Sequence, residues 1–77
     1  MSAKSGFAVE NITRICDKHL PGNYEIEIID ISRDKQLAVE HQIIGIPTLM
    51  KIHPFPKRII LGDLSDTKKV LQILDLE

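Results

Sequence analysis

The sequence predicts one small α/β domain, and three observations predict it. At 77 residues the chain is long enough for a single domain. Apolar residues recur at helical spacing in three separate stretches. Between those stretches lie β-branched runs of strand length, two of them joined by the rigid Pro54-Phe55-Pro56 connection. The elements follow in chain order.

The first helix is expected from about Ser5 to Leu20. Ala8, Ile12, Ile15, Cys16 and Leu20 form its apolar stripe, and Glu10, Arg14, Asp17 and Lys18 fall off it. Ser5 is the expected N-cap, and Pro21-Gly22-Asn23 ends the helix. Cys16 lies on the stripe and reads as a small buried hydrophobe rather than a reactive thiol.

Tyr24–Ile31 reads as the most secure strand, with Tyr24, Ile26 and Ile28 on one face and Glu25 and Glu27 on the other. A second helix opens at Ser32-Arg33-Asp34, capped by Ser32 or Asp34, with Leu37, Ala38, His41 and Ile44 along one side. Gly45 is placed to end it in the left-handed conformation. His41, set among apolar neighbours, reads as a partly buried, hydrogen-bonded histidine rather than a catalytic base.

Ile46–His53 and Lys57–Gly62 read as two strands of a hairpin. The last helix begins at Leu64-Ser65-Asp66, with Ser65 as cap and Asp66 near the positive end of the dipole. Its core stripe is Val70, Leu71 and Leu74.

Composition narrows the function classes. The chain is 43% hydrophobic and 27% charged, with no Trp and 4% aromatic residues, so its core must be aliphatic. Ten basic against eleven acidic side chains argue against a phosphate-driven nucleic-acid binder. No apolar run approaches the ~18 residues that cross a bilayer. The start has a Lys but no apolar segment behind it, unlike a secretory signal. One cysteine cannot form an internal disulfide, and a reducing cytoplasm is the simplest location. His19, His41 and His53 fall on different elements at no metal-ligand spacing, and the four glycines are too isolated for a phosphate loop. No cofactor is expected.

The expected order is helix, strand, helix, strand, strand, helix. A strand, a helix and a parallel strand imply a right-handed crossover, and the last two strands a hairpin. That is a thioredoxin-like pattern lacking a strand ahead of the first helix. Gly45-Ile46-Pro47-Thr48-Leu49 resembles the loop that carries a cis-proline in such proteins. Dithiol chemistry is excluded, because Ser2–Phe7 contains no cysteine where the nucleophile would stand and Cys16 lies about three turns too late.

A sharper resemblance comes from the second half: Gln36-Leu37-Ala38, Ile43, Ile46-Pro47-Thr48-Leu49, Lys51, Pro54, Pro56, Arg58-Ile59-Ile60, Gly62-Asp63-Leu64-Ser65, Lys69-Val70-Leu71 and Leu74-Asp75-Leu76. The first half agrees through Ala8, Asn11-Ile12, Ile15-Cys16, Leu20-Pro21-Gly22-Asn23-Tyr24 and Ile29-Asp30. On these residues the chain resembles the KaiB family over roughly residues 5–77.

The resemblance implies a single KaiB-like, thioredoxin-like domain over residues 1–77 that is not an enzyme. It also implies a second fold, a self-assembling ground state (dimer or tetramer) that differs in the second half. Lys69–Leu74 is apolar enough to serve there as a strand. The implied partner is a KaiC-like ATPase, whose phosphorylation and ATPase cycle the chain would modulate in circadian or stress-related timing. The implied contact is Glu25, Glu27, Glu40, His41 and Gln42. Glu40-His41 replaces an acidic pair common in the family, and Glu25 and Glu27 stand where Lys or small residues are frequent.

Pro47 is the implied isomerising hinge. Lys51, Lys57 and Arg58 make a basic cluster that is either solvated or a second protein contact. The family's first strand, interior between Tyr24–Ile31 and Thr48–His53, has no counterpart, so the domain reads as N-terminally truncated. Either the true start lies upstream of Met1, the favoured reading, or another chain supplies a strand. The alternatives are a KaiB-like input domain of a histidine kinase and, less favoured, a glutathione-binding thioredoxin relative.

Overall fold

The computed structural model describes residues 2–76, so the expected domain limits, Met1 and Glu77, lie outside the described residues. The elements are α1 (Ala3–His19), α2 (Lys35–Glu40), β1 (Thr48–Lys51), β2 (Arg58–Leu61) and α3 (Thr67–Ile73).

The apolar stripe of α1 is buried as its spacing requires: Ala8, Ile12, Ile15 and Cys16 face the core. The helix starts earlier than expected because Ser2, not Ser5, is its cap. The Ser5 N–H donates to Ser2 Oγ at 3.1 Å, and the Gly6 N–H reaches Ser2 O at 3.0 Å, satisfying donors that a helix start leaves orphaned. Lys18 and His19 in the last turn complement the negative end of the dipole. The Leu20 N–H closes the helix on Cys16 O before Pro21, which has no N–H to offer.

Tyr24–Ile31 forms no strand, which corrects the most secure strand expected. A strand's backbone groups point sideways and need a neighbouring ladder. The one ladder among the described residues joins β1 to β2. The alternation of side chains partly survives: Tyr24 and Ile26 pack on the core while Glu25 and Glu27 are exposed. It fails at Ile28 and Ile29, which are 57% and 50% exposed.

The second helix is also shorter than its apolar spacing suggests. Asp34 caps it, its carboxylate accepting from the Leu37 N–H at 3.0 Å, and Ile44 lies beyond it, 91% exposed. Gln42, not Gly45, takes the left-handed turn, with φ 54°. The Ile43 N–H bonds Ala38 O at 2.9 Å and the Gln42 N–H bonds Val39 O at 3.1 Å, the paired closure of a Schellman motif. The end of α3 repeats it, Asp75 turning left-handed (φ 57°) and the Leu76 N–H bonding Leu71 O at 2.9 Å. There too the cap differs from expectation. Asp66 accepts from the Lys69 N–H at 3.2 Å, while the Ser65 N–H turns back to Asp63 Oδ1 at 3.0 Å.

The hairpin forms as expected, antiparallel with Leu49 opposite Ile60 and Met50 opposite Ile59. Ile60 is buried and Leu49 packs on the core, so these two define its inner face. α1 packs on α3 and α3 on β2. Leu64 and Val70 complete the buried cluster, with Leu71, Leu74 and also Ile73 against it. The core is therefore aliphatic and one-sided, lying between the hairpin's inner face and the helices α1 and α3.

Candidate functional site

The hairpin's outer face is the site's floor. Because side chains alternate along a strand, Thr48, Met50, Ile59 and Leu61 point away from the core that Leu49 and Ile60 join. The Schellman closure after α2 brings His41, Gln42, Ile43 and Ile44 beside them, and together the eight line a shallow cleft of about 190 Å³. Thr48 Oγ1 donates to Gly45 O at 2.6 Å, and the Gly62 N–H donates to Pro47 O at 2.9 Å. These two bonds pin the approach to β1 against the end of β2. A side chain at Gly45 would sit 3.2 Å from Leu61 Cδ1, so its glycine keeps that wall close.

Of the residues implied as a partner contact, His41 and Gln42 meet at this cleft. Glu40 is the last residue of α2 and accepts a hydrogen bond from Gln36 Nε2 at 3.2 Å. His41 is half-buried, but its imidazole makes no hydrogen bond among the described residues, unlike the hydrogen-bonded ring expected. Glu25 and Glu27 are exposed on the unpaired segment, and no hydrogen bond or ion pair joins them to Glu40, His41 or Gln42 among the described residues. The Ile46–Pro47 peptide is cis, as are His53–Pro54 and Phe55–Pro56. In the basic cluster, Lys51 stands directly opposite Arg58 on the ladder and Lys57 precedes it. Arg33–Asp30, at 3.7 Å, is the sole ion pair among the described residues, so none of these three cations is neutralised within them.

Titration is perturbed away from the cleft. Burial, with Asp17 adding its charge, pushes the Cys16 thiol up from 9.0, so a thiolate is disfavoured where the side chain is already enclosed. The Tyr24 phenol, hydrogen-bonded to Asp17, is raised above 10.0, first by that bond. Asp30 and Asp63 are held below 3.8, each mainly by hydrogen bonds from the serine two residues on. Among the described residues no three His, Cys, Asp or Glu side chains converge as metal ligands would.

Met50, Ile59 and Leu61 were absent from the sequence-derived contact. A signal for them existed. β1 and β2 carry apolar residues on both faces, the pattern of strands covered on two sides.

Comparison with known proteins finds relatives along nearly the whole chain. The family model described as "KaiB domain" matches residues 1–76. The circadian clock protein KaiB3 of Synechocystis sp. is 45% identical over 75 residues, covering 97% of this chain and 74% of that protein. The circadian clock oscillator protein KaiB of Cyanothece sp. is 45% identical over 69 residues, covering 90% of this chain and 66% of the relative. Its counterpart from Synechococcus elongatus is 44% identical over 69 residues, covering 90% and 68%. KaiB proteins are clock regulators, not enzymes. With the match running through α1, the unpaired segment, α2, the hairpin and α3, this chain belongs to the KaiB family.

Proposed function

We propose that the chain is a non-catalytic regulator that docks on a KaiC-like ATPase and modulates its phosphorylation and ATPase cycle in circadian or stress-related timing. The carrying observation is the family match over residues 1–76. The docking surface is formed by Glu25 and Glu27 on the unpaired segment and by Glu40, His41 and Gln42 at the end of α2. Glu25, Glu27, Glu40 and Gln42 are all exposed, so a partner can reach them. The uncovered apolar wall of Met50, Ile59 and Leu61 beside His41 supplies area that a partner would remove from water.

The scaffold is thioredoxin-like. Two features support this: α3 packs on β2 and α1 on α3, with α1's buried residues in one core cluster with Ile60, and α2 delivers the chain to β1 through Pro47. Pro47 is the hinge about which a second, self-associating arrangement of the C-terminal half forms. The protein works in the cytoplasm as a single domain and binds neither nucleic acid nor membrane. No helix among the described residues is long and apolar enough to cross a bilayer.

The test is co-elution with a KaiC-type ATPase ring held in different phosphorylation states. Wild type should co-elute in a state-dependent way, and Glu40→Lys should weaken binding by about tenfold or more, as reversal of an interface charge does. Unchanged binding by Glu40→Lys and by Glu25→Lys/Glu27→Lys would remove this surface, and no co-elution at all would remove the ATPase as partner.

A further inference from the structure

His41 is the one residue of the hairpin cleft whose side chain changes charge near neutral pH. Of the seven others that line it, five are apolar, and Gln42 and Thr48 are polar but uncharged. No carboxylate lies among them to receive an imidazolium. Thr48 donates its hydroxyl proton to Gly45 O at 2.6 Å, and the half-buried imidazole has no hydrogen-bond partner among the described residues. The residue is fixed through its backbone. His41 caps the C-terminus of α2 with its N–H on Leu37 O at 3.0 Å, and the closure through Gln42 and Ile43 holds the chain just beyond it.

Charged groups on the neighbouring elements give a proton on this ring little support. Glu40, next to it on α2, is exposed and accepts from Gln36 Nε2 at 3.2 Å. Glu25 and Glu27 form no ion pair with it among the described residues. On the hairpin, Thr48 opposite Leu61 is the cleft end of the ladder, whereas Lys51 opposite Arg58 is the other end. Those two cations alternate onto the opposite face, and both oppose a further positive charge. The negative end of α2 is the feature that favours imidazolium, and a helix of 6 residues carries only a small dipole.

While the cleft is open, water solvates either form of the ring. A partner lying on Ile44, Ile59 and Leu61, all more than half exposed, takes that water away. A charge enclosed by apolar surface without a counter-charge is strongly disfavoured, so the neutral ring is the form that fits beneath a partner.

We propose that His41 makes docking on this cleft pH-dependent: the partner is held while the imidazole is neutral and released as the ring takes up a proton. The inference rests on the ATPase reading above and adds regulation to that same surface.

The test is the affinity of the full chain for the KaiC-type ATPase ring, followed from pH ~8 to ~5.5, with folding checked by circular dichroism at each step. A site that admits only neutral histidine loses about tenfold in affinity over that range, given the ordinary histidine pKa of ~6.5. Wild type should show this loss, and so should His19→Asn and His53→Asn. His41→Asn, whatever its affinity at pH ~8, should stay within about twofold of that value down to pH ~5.5. Comparison on one ring cancels the titration of the ring's own groups. His41→Lys, a permanent cation, should bind about tenfold or more weakly than His41→Asn at pH ~8.

A wild-type affinity that is flat with pH or rises on acidification would overturn the proposal and leave the ATPase as partner. So would a loss that His41→Asn retains, or His41→Lys binding as tightly as His41→Asn. No binding at any pH would remove the ATPase reading and this inference with it.

Discussion

Ile15 and Val70, each 2% exposed, show how few side chains hold this molecule together. Among the described residues seven buried side chains make the core cluster, so each carries a large share of a stability that for this length is about 4–12 kcal/mol. Ile15→Ala should cost about 2–5 kcal/mol, read as a fall in urea midpoint with little change in slope. A loss below ~1 kcal/mol would mean α1 is not packed as described.

Tyr24 ties the loop after α1 back to Asp17. Its phenol pKa is raised above 10.0. A pKa raised on folding adds stability that is present below pH 10 and lost as pH climbs through the folded value. Spectrophotometric titration of the phenol should therefore run above 10, and Asp17→Asn should bring it back toward 10.

At the element scale, the ends of helices and strands depend on positions with unusual backbone. Gly62 follows β2 at φ 121° and donates its N–H to Pro47 O. Gly62→Ala should destabilise by about 1–3 kcal/mol, because a Cβ is strained there although nothing crowds it. Thermal melts would read this, and an unchanged midpoint would contradict the assigned conformation. Leu64 accepts left-handed φ (64°) while buried, its burial of about 2 kcal/mol offsetting the strain.

Tyr24–Ile31 is the element that strand propensity alone misreads. Its β-branched alternation is real, but propensity measures fit to a pleated sheet, and no ladder reaches it among the described residues. Hydrogen exchange should accordingly show Tyr24–Ile29 amides exchanging at nearly unstructured rates, while amides within α1 and those bonded between β1 and β2 are protected. Protection of Tyr24–Ile29 in the isolated chain would show that the segment has found a strand partner.

At the scale of the whole molecule, the dominant fact is incomplete burial: among the described residues ten large apolar side chains are at least half exposed, from Phe7 to Leu61. Water penalises that surface in proportion to its area, so the lowest free energy should come with something covering it. The hairpin's outer face, the Phe55 turn and the Glu25–Ile29 strip are separate parts of this surface. A KaiC-like ATPase is the occupant proposed for the hairpin's outer face. That reading predicts that the apparent melting temperature rises with partner concentration, since ligands that bind only the folded state stabilise it by mass action. A melting temperature independent of the partner would count against it.

Local chemistry was enough to establish much of this protein. The stripe of α1, the hairpin around Pro54-Phe55-Pro56 and Val70 as a core residue could each be read from periodicity and turn residues, which act over a few positions. The family was legible in the run from Ile46 to Ser65. Tertiary structure alone decided that Tyr24–Ile31 goes unpaired, that Gln42 rather than Gly45 turns the chain, and that His41 and Gln42 meet Met50, Ile59 and Leu61 at one cleft. Each of these depends on which groups arrive from distant positions to bond or cover a segment, and no local pattern encodes that arrival.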